Sequence, residues 1–552
     1  MLKNYIKIAF RNLWKKKGYS ALNIFGLAIG ITCASLILLW VEDEMSFDTI
    51  VTDQELVYSV PTNQKYDGQV RTFFQATPGP LAAALKTEIP EITKAARLRN
   101  RDFLFTVNSS SISSAGSYAD PDIFDLFDLK FIEGNATDAF KMKESIVITK
   151  EVAQILFENP TNILGKVIRI NQQDNFQITG VVENLPVNTT YSFNWLVPFE
   201  NFTYDKPWTQ EYGSNFTETF VKLSPDADFN SVNEKVKHIL PAKTGDEDTK
   251  AILHKAADWH LRSDFKDGEV VGGRVEYVRL FSFIALIILV IACINFMNLA
   301  TARSEKRANE VGVRKTLGSD KQQLIFQFIT EALMTAIFAA VLSVLVLILI
   351  IPAFNALIDK QLALGLTIPS HLLSLLAITL TCGIFAGLYP AFYLSSFKPI
   401  DVLKGNRIQS KGAGFIRKGL VITQFVISIV FIISTLLVYQ QVQHVKNRDL
   451  GLDKDNLIEI PANGDLIKNR KAIAEGLKNT GMITGLGLSN SNILSAGNNG
   501  SGLRWQGGSS TEDILVSYRY INEEYFKTAG IELIEGRGFS PVVVNDSSHV
   551  II

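Results

Sequence analysis

Five long apolar segments constrain this chain more than any other feature of its sequence. Charged residues are concentrated in the connections between these segments, which cover approximately residues 20–41, 278–301, 323–351, 371–397 and 416–439. Crossing about 30 Å of hydrocarbon takes roughly 20 predominantly apolar residues in a helix. One such segment is also compatible with a buried core helix, but five of this length are not. The sequence therefore predicts an α-helical membrane protein with five transmembrane helices.

Basic residues predict the orientation of these spans, because Lys and Arg mark the cytoplasmic side. Six bases precede the first span, whereas the residues directly after it are acidic and include Glu42, Asp43, Glu44 and Asp48. Bases are abundant in the connections 302–322 and 398–415, while 352–370 holds only Lys360. We therefore expect a cytoplasmic N-terminus. The outer side then holds residues 42–277, 352–370 and 440–552.

The first 19 residues carry a separate pattern. Four bases recur every four residues and line one helical stripe, with apolar residues on another face: Lys3, Lys7, Arg11 and Lys15. This pattern is typical of a basic amphipathic helix on an anionic membrane surface. The alternative is the start of a signal peptide. However, the apolar run that follows is too long for one, and no A-x-A cleavage site precedes the acidic residues.

Residues 42–277 are long enough for a large outer domain. Short β-rich runs occur at Ser145–Thr149, Lys166–Ile170 and Phe176–Val182, and helical patterns separate such runs. Gly, Asn, Ser and Pro punctuate the boundaries, and the Ser-rich stretch 108–117 is expected to be a loop or a hairpin tip. The predicted fold class of this region is mixed α+β.

Part of this outer domain is repeated later in the chain. Residues 122–135 align with residues 524–537, and both stretches contain an Ile-Glu-Gly tripeptide at the same place. This predicts a tandem repeat, with 440–552 as a second, incomplete outer domain and the chain as a fragment or an early-terminated copy. The alternative is a chance match over a short stretch.

The sequence contains none of the motifs that would give it an active site of its own. GxxxxGK[ST], GxSxG and HExxH are absent. The three cysteines lie inside predicted spans, and the six histidines are scattered. The net charge of −1 gives no reason to expect nucleic acid as a partner. We expect no catalytic, cofactor-binding or metal-binding residues, so energy would have to enter through a partner.

The connection 303–322 is the candidate docking element, because it is short, charged and compatible with a helix between two spans. Glu310 and Arg314 have the favourable i,i+4 order. Gly312 and Gly318 leave room for close backbone approach, and Gly318 can end a helix. The alternative is an ordinary solvated loop whose bases only reflect topology. The predicted coupling residues are Arg303, Glu310, Gly312, Arg314, Lys315 and Gly318.

These residues also carry a family resemblance. The segment Glu310-Val-Gly-Val-Arg-Lys-Thr-Leu-Gly318, followed by Gln327-Phe-Ile-Thr-Glu331, resembles the FtsX-like permease domain of ABC transporters, which would cover 278–397. Region 42–277 resembles the MacB-type periplasmic core domain. The start of the chain, with Ala9-Phe-Arg-Asn-Leu13, is similar to the start of the larger duplicated members. The resemblance covers nearly the whole chain.

The resemblance implies a non-catalytic permease subunit in a bacterial plasma membrane. A separate cytoplasmic ABC ATPase would bind ATP and dock on the 303–322 loop. Its movements would pass through the spans to the outer domain (mechanotransmission), for export or extraction of an amphiphilic substrate. Membrane lipid, a second permease or a homodimer, and a periplasmic adaptor are further implied partners. MacB itself carries a fused nucleotide-binding domain, which this sequence lacks. The alternatives are an FtsX-like signalling or scaffold protein that regulates a periplasmic enzyme, and an inactive truncated copy.

Three polar residues fall inside predicted spans. Glu331 lies about two turns into the third span, where an ionisable group is a functional candidate by default. It could equally be interfacial, or paired with a base of the preceding loop. Asn295 and Asn298, at i,i+3, are expected to form hydrogen bonds between helices.

Overall fold

The computed structural model describes most of the chain in two compact units. The described residues are 2–15, 17–108, 110–157, 161–302, 311–365, 368–396, 411–462, 465–495, 498–500 and 514–540. One unit combines Met1–Ser46 with Val275–Asn447, and the other combines Phe47–Arg274 with Arg448–Ile552. The first unit contains the apolar segments, and the second contains the predicted outer regions.

Sixteen α-helices lie within the described residues. They are α1 Leu2–Lys15, α2 Lys17–Met45, α3 Leu81–Glu88, α4 Ile123–Leu126, α5 Ala136–Ala139, α6 Lys150–Phe157, α7 Glu200–Thr203, α8 Phe229–Thr244, α9 Arg274–Ala302, α10 (residues 311–316), α11 Lys321–Ile358, α12 Pro369–Ser395, α13 Lys411–Lys446, α14 Asp465–Lys468, α15 Arg470–Asn479 and α16 Tyr525–Ala529. Five of these, α2, α9, α11, α12 and α13, are long and apolar enough to cross a membrane. The predicted five-helix membrane fold is confirmed.

Close backbone approach holds the spans of the first unit together. A Cβ at Gly30 of α2 would lie 2.5 Å from the Cβ of Ala292 on α9. A Cβ at Gly387 of α12 would lie 2.7 Å from the Cβ of Ala332 on α11. Small residues that admit a neighbouring backbone are the usual basis of helix packing in lipid. The fifth span differs, because none of its apolar window is buried among the described residues.

Charged residues join the end of α2 to the connection between α11 and α12. The Lys360 ammonium forms ion pairs with Asp43 and with Glu44, whose side chain is fully buried. Beside them, His371 Nε2 lies 3.2 Å from a carboxylate oxygen of Glu42. We call the three residues Asp43, Glu44 and Lys360 the Lys360 clasp. It fixes two span ends against each other.

The second unit is built around one large sheet. Its strands, with those of three small sheets, are β1 Val57–Ser59, β2 Thr62–Tyr66, β3 Gln69–Phe73, β4 Thr77–Pro78, β5 Ile92–Val107, β6 Ser110–Ala119, β7 Phe131–Glu133, β8 Ser145–Thr149, β9 Val167–Ile170, β10 Asp174–Val182, β11 Trp195–Pro198, β12 Asn215–Leu223, β13 Thr249–Ala251, β14 His254–Lys255, β15 Asp264–Lys266, β16 Glu269–Gly272, β17 Asn498–Gly500 and β18 Val516–Tyr518. The sheet has 11 strands, with β14-β1-β12-β5-β6-β11-β8-β10-β7 as its main path. The β8–β10 and β6–β11 pairs are parallel. The mixed α+β prediction is confirmed.

The Ser-rich stretch 108–117 is mostly strand rather than loop, so that expectation is wrong beyond its first residues. The chain turns at Asn108, which has a φ of +54°, and the following residues pair with β5 along the whole of β6. Packing decides this, because Ser117 is fully buried and the Trp195 indole lies against Gly116. Burial against a large side chain overrides the weak strand preference of serine.

The two copies of the predicted repeat share local structure. Helices α4 and α16 begin at aligned positions, Ile123 and Tyr525. The glycines of the two Ile-Glu-Gly tripeptides, Gly134 and Gly536, have φ values of +80° and +84°. A left-handed conformation at both positions explains why each copy carries glycine there.

Candidate coupling site

Helix α10 lies in the described part of the predicted docking loop, residues 311–322, and its end is well defined. Gly318 has a φ of +94°. Its N–H donates to the carbonyl of Lys315 at 3.1 Å, and the N–H of Ser319 donates to the carbonyl of Arg314 at 3.0 Å. This pair of bonds is the Schellman motif, in which glycine ends a helix. Gly318 therefore fixes where the chain leaves α10 for α11.

The two predicted coupling cations that lie in α10 hold it against the spans. Arg314 Nη1 donates a hydrogen bond to Oε1 of Gln327 on α11. Lys315 Nζ donates to the backbone carbonyl of Ser395 on α12 at 2.6 Å. Burial lowers the pKa of Lys315, and the nearby charge of Lys321 lowers it further. Both side chains therefore position α10 on α11 and α12 rather than project from it.

Apolar contacts complete this attachment. Val311 is buried in a cluster formed by the ends of α11 and α12: Leu324, Phe328, Ala391 and Leu394. Gly312 is buried beside it. Arg303 and Glu310, the other predicted coupling residues, lie outside the described residues.

Two apolar residues are exposed on the outward side of α10, one within the helix and one directly after its last residue. Val313 is 47 % exposed and Leu317 is 81 % exposed. Their i,i+4 spacing puts them on one helical face. These two residues were missed because the prediction was based on charge. The signal that would have found them is an apolar i,i+4 pair in an otherwise charged loop.

Glu331 lines a small cavity of about 40 Å³ in the same unit, and the wall of this cavity is partly polar. Residues of α1, α2, α9, α11 and α12 surround it, among them Asn12, Tyr19, Asn23 and Thr335. Asn23 is 3 % exposed, and no described residue forms a hydrogen bond with its Oδ1. A cavity of this size with several polar groups in its wall can hold one or two water molecules. Glu331 thus lies at a junction of helices close to the α10 attachment.

The expected hydrogen bonds of the two span asparagines are not found within the described part of the chain. Oδ1 of Asn298 is buried and has no partner among the described residues. The side chain of Asn295 instead packs against Gly26, where a Cβ would lie 3.0 Å from Nδ2. Gly26 on α2 therefore leaves room for this amide by shape.

Comparison with known proteins agrees with this division into an outer domain and a span bundle. A family model described as the MacB-like periplasmic core domain matches residues 20–239, and one described as FtsX-like permease C-terminal matches residues 282–399. Together they match more than half of the chain. The chain belongs to the FtsX-like permeases that carry a MacB-like periplasmic core domain. The predicted family is confirmed.

Individual relatives of this permease are distant. It is 24 % identical over 322 residues to the macrolide export ATP-binding/permease protein MacB of Salmonella paratyphi A, covering 57 % of this chain and 46 % of that one. It is 28 % identical over 253 residues to the protein of that name from Campylobacter jejuni, covering 45 % of this chain and 36 % of that one. The permease thus spans less than half the length of these two relatives.

Among solved structures, the permease is similar to the periplasmic region of MacB from Actinobacillus actinomycetemcomitans. The TM-score is 0.29 and the identity is 19 %, covering 38 % of this chain and 95 % of that one.

Proposed function

We propose that this chain is the permease subunit of an ABC transporter, and that a separate ATPase docks on the Val313–Leu317 face of α10. The observation that carries the proposal is that the two sides of this helix differ. Arg314 and Lys315 bind it to the spans, while an exposed apolar pair faces away from them. A rigidly held helix with an apolar outer face is suited to receive a partner surface.

The source of energy is the second part of the proposal. The sequence contains no GxxxxGK[ST] loop, and its matched regions are the permease and outer-domain parts of the family. The relatives from Salmonella and Campylobacter are named as ATP-binding/permease proteins. Those names combine ATP binding and permease in one protein. In the proposal, a separate partner supplies the ATP binding. In this arrangement α10 lies on the cytoplasmic side, in agreement with the distribution of bases.

Force would pass from the ATPase to the spans through two contacts. A push on Leu317 is carried by the Lys315 hydrogen bond into α12, and by the Val311 cluster into both α11 and α12. The substrate would be an amphiphile moved by the outer domain. The chemical work of this chain is therefore positioning and transmission, and its residues take part in no bond-breaking step.

Site-specific photo-crosslinking in native membranes tests the docking. A photoreactive phenylalanine analogue replaces Leu317, and the adduct is identified by mass spectrometry. We expect an ATPase with a phosphate-binding loop at this position. Leu357 is the matched control, because it is equally exposed at 81 % but lies near the other end of α11. The same substitution there should give no ATPase adduct.

A second variant tests the function. Leu317→Asp should lower substrate-stimulated ATP hydrolysis of the purified complex about tenfold, since an apolar interface anchor contributes on the order of 1–2 kcal/mol. Crosslinking to the ATPase with unchanged hydrolysis would contradict coupling through this face. ATPase crosslinking together with activation of a periplasmic enzyme, and without movement of a substrate, would favour the signalling function instead.

A further inference from the structure

One face of strand β5 carries a row of three arginines in the outer domain. Arg97, Arg99 and Arg101 alternate along the strand, so their side chains leave the same side of the sheet. Arg97 is neutralised by Asp120, with Nε 2.8 Å from Oδ2 and Nη2 2.9 Å from Oδ1. Neither Arg99 nor Arg101 forms an ion pair with any residue that the structure describes. The row therefore holds two uncompensated charges next to a compensated one.

A third cation, Lys206, shares the ring of Phe202 with Arg99. The Arg99 guanidinium lies 4.3 Å from the ring centroid, and its Nη1 donates a hydrogen bond to the carbonyl of Phe216. Lys206 Nζ lies 4.4 Å from the same ring and donates to the Phe202 carbonyl at 2.6 Å. These neutral partners orient the cations but do not cancel their charge. Two cations thus lie on one aromatic ring, and Arg101 is close enough for its charge to act on both of them.

This arrangement costs free energy in the absence of an anion. Burial lowers the pKa of Arg99, and the charge of Arg101 lowers it further. Burial likewise lowers the pKa of Lys206, with Arg99 and Arg101 as the next causes. A bound anion would offset both the lost hydration and the mutual repulsion. Arginine is the side chain best suited to a carboxylate or a phosphate, which it binds through two parallel hydrogen bonds.

Apolar surface borders the three cations. Trp208 is 40 % exposed, and its ring lies edge-on to that of Phe216 with 4.9 Å between the centroids. Phe202 packs against both rings, with centroid distances of 6.1 Å to Trp208 and 5.4 Å to Phe216. Tyr118, which pairs with Arg99 across the β5–β6 ladder, lies 5.5 Å from Phe202 on the other side. A ligand that places a charge on the arginines would therefore meet an aromatic wall beside it.

We propose that Arg99, Arg101 and Lys206 bind the anionic head of an amphiphile, a carboxylate or a phosphate, whose apolar chain lies on Trp208 and Phe216. The site adds a chemical class for the substrate to the proposed function. The claim that the bound amphiphile is transported rests on that function. Binding itself needs no ATPase. Failure of the coupling experiment and failure of the binding experiment are therefore distinguishable.

Calorimetric titration of the full chain in phosphatidylcholine nanodiscs tests the site. The probe is dodecyl phosphate below its critical micelle concentration, with empty nanodiscs subtracted. We expect saturable binding that weakens at least tenfold in Arg99→Gln/Arg101→Gln, because charge-assisted hydrogen bonds are lost. The control Arg71→Gln/Arg262→Gln removes the same charge from two exposed arginines elsewhere in the domain and should bind normally.

Additional measurements keep the test independent of folding. Arg101 is exposed, so Arg101→Gln alone should fold and bind about threefold less tightly. Trp208→Ala should weaken dodecyl phosphate but leave binding of inorganic phosphate unchanged. Equal binding of dodecyltrimethylammonium, or unchanged affinity in the double variant, would overturn the proposal.

The source of the head group is distinguished by the lipid of the nanodisc. If phosphatidylglycerol nanodiscs compete with the probe, the site takes a lipid head group. If they do not, it takes a free amphiphile, and the proposal stands in both cases. Binding of hexaglutamate without binding of dodecyl phosphate would overturn it in favour of an acidic polypeptide.

Discussion

Lys315 Nζ donates a hydrogen bond to the backbone carbonyl of Ser395 at 2.6 Å, and Ser395 is the last residue of α12. The acceptor residue is fully buried, so solvent has little access to the contact. This contact joins the loop helix to the end of a span that is 80 residues further along the chain. It makes Lys315 a positioning residue rather than a contact residue for a partner.

Substitution of Lys315 should release α10 from the bundle. In Lys315→Met, a hydrogen bond with a charged donor is lost, at a cost of about 1.5–3 kcal/mol. We expect backbone amide hydrogens of residues 311–318 to exchange at least about tenfold faster, because local opening becomes easier. Hydrogen exchange followed by mass spectrometry measures this directly.

Lys321→Met is the matched control, since it removes a nearby exposed base of the same length. Exchange in 311–318 should stay at the wild-type rate. Equal acceleration in both variants would show that net charge, and not the Ser395 contact, holds the helix.

A buried glutamate makes the stability of the outer domain depend on pH. Glu218 of β12 is 4 % exposed, and burial raises its pKa to about 8, against a smaller lowering by a hydrogen bond with Gln75. The raised pKa means that the folded state holds the proton more tightly than the unfolded state. Stability is therefore fully present below the unfolded pKa of 4.5 and is lost as pH rises to about 8.

Glu218→Gln should remove the loss of stability that occurs as the pH rises. A difference of one in pKa between the folded and unfolded states corresponds to about 1.4 kcal/mol of folding free energy. The variant should therefore be more stable than the wild type at pH 8 by up to about 5 kcal/mol, and similar to it at pH 4.5. Thermal unfolding at both pH values gives the comparison.

Glu211→Gln is the control for Glu218→Gln, because Glu211 is an exposed neighbour in sequence. Its stability should follow the wild type at both pH values. A Glu218→Gln variant with the wild-type pH profile would mean that Glu218 is ionised in the folded domain.

Gly116 and Trp195 are closely packed, so one added methyl group in the β5–β6 hairpin should lower the stability of the outer domain. A Cβ at Gly116 would lie 2.3 Å from the Trp195 indole, which stacks on Phe103 at 4.1 Å and is only 1 % exposed. Gly116→Ala should therefore destabilise the outer domain by about 1–3 kcal/mol, the usual cost of overpacking. At Gly213, where nothing lies within 4 Å, the same substitution should be neutral. Chemical denaturation followed by tryptophan fluorescence distinguishes the two.

Local patterns predicted the elements that depend on neighbours in sequence. Strand β8 coincides with the predicted Ser145–Thr149, because a short β-branched run is fully buried there. The spans were predictable for a similar reason, since length and apolarity suffice. Gly318 was recognisable as a helix end from residue type alone.

Orientation of side chains was beyond the sequence, because it depends on tertiary packing. Nothing in the charged loop indicates that Lys315 meets a carbonyl of α12 while Leu317 faces outward. The loop prediction for the Ser-rich stretch was wrong for the same reason, because Trp195, which packs against this stretch, lies far away in the chain. Likewise, only the fold reveals that Lys206 joins the arginines of β5.

Removal of the central cation of the Lys360 clasp should destabilise the span bundle. Lys360→Met leaves Glu44 buried without its cation, and breaking a buried pair from one side costs about 3–5 kcal/mol. We expect a lower thermal unfolding temperature in detergent. Glu44→Gln/Lys360→Met should recover much of the loss, because the buried charge is removed with its partner. A double variant as unstable as the single one would contradict the ion-pair explanation.

The same clasp sets how the spans can move. Asp43 and Glu44 lie at the end of α2, and Lys360 closely follows α11, so the two helices share a joint that resists sliding. A displacement of α11 along its axis is therefore transmitted to α2 instead of being absorbed between them. In mechanical terms, α2 and α11 behave as one rigid unit that is joined at the Lys360 clasp.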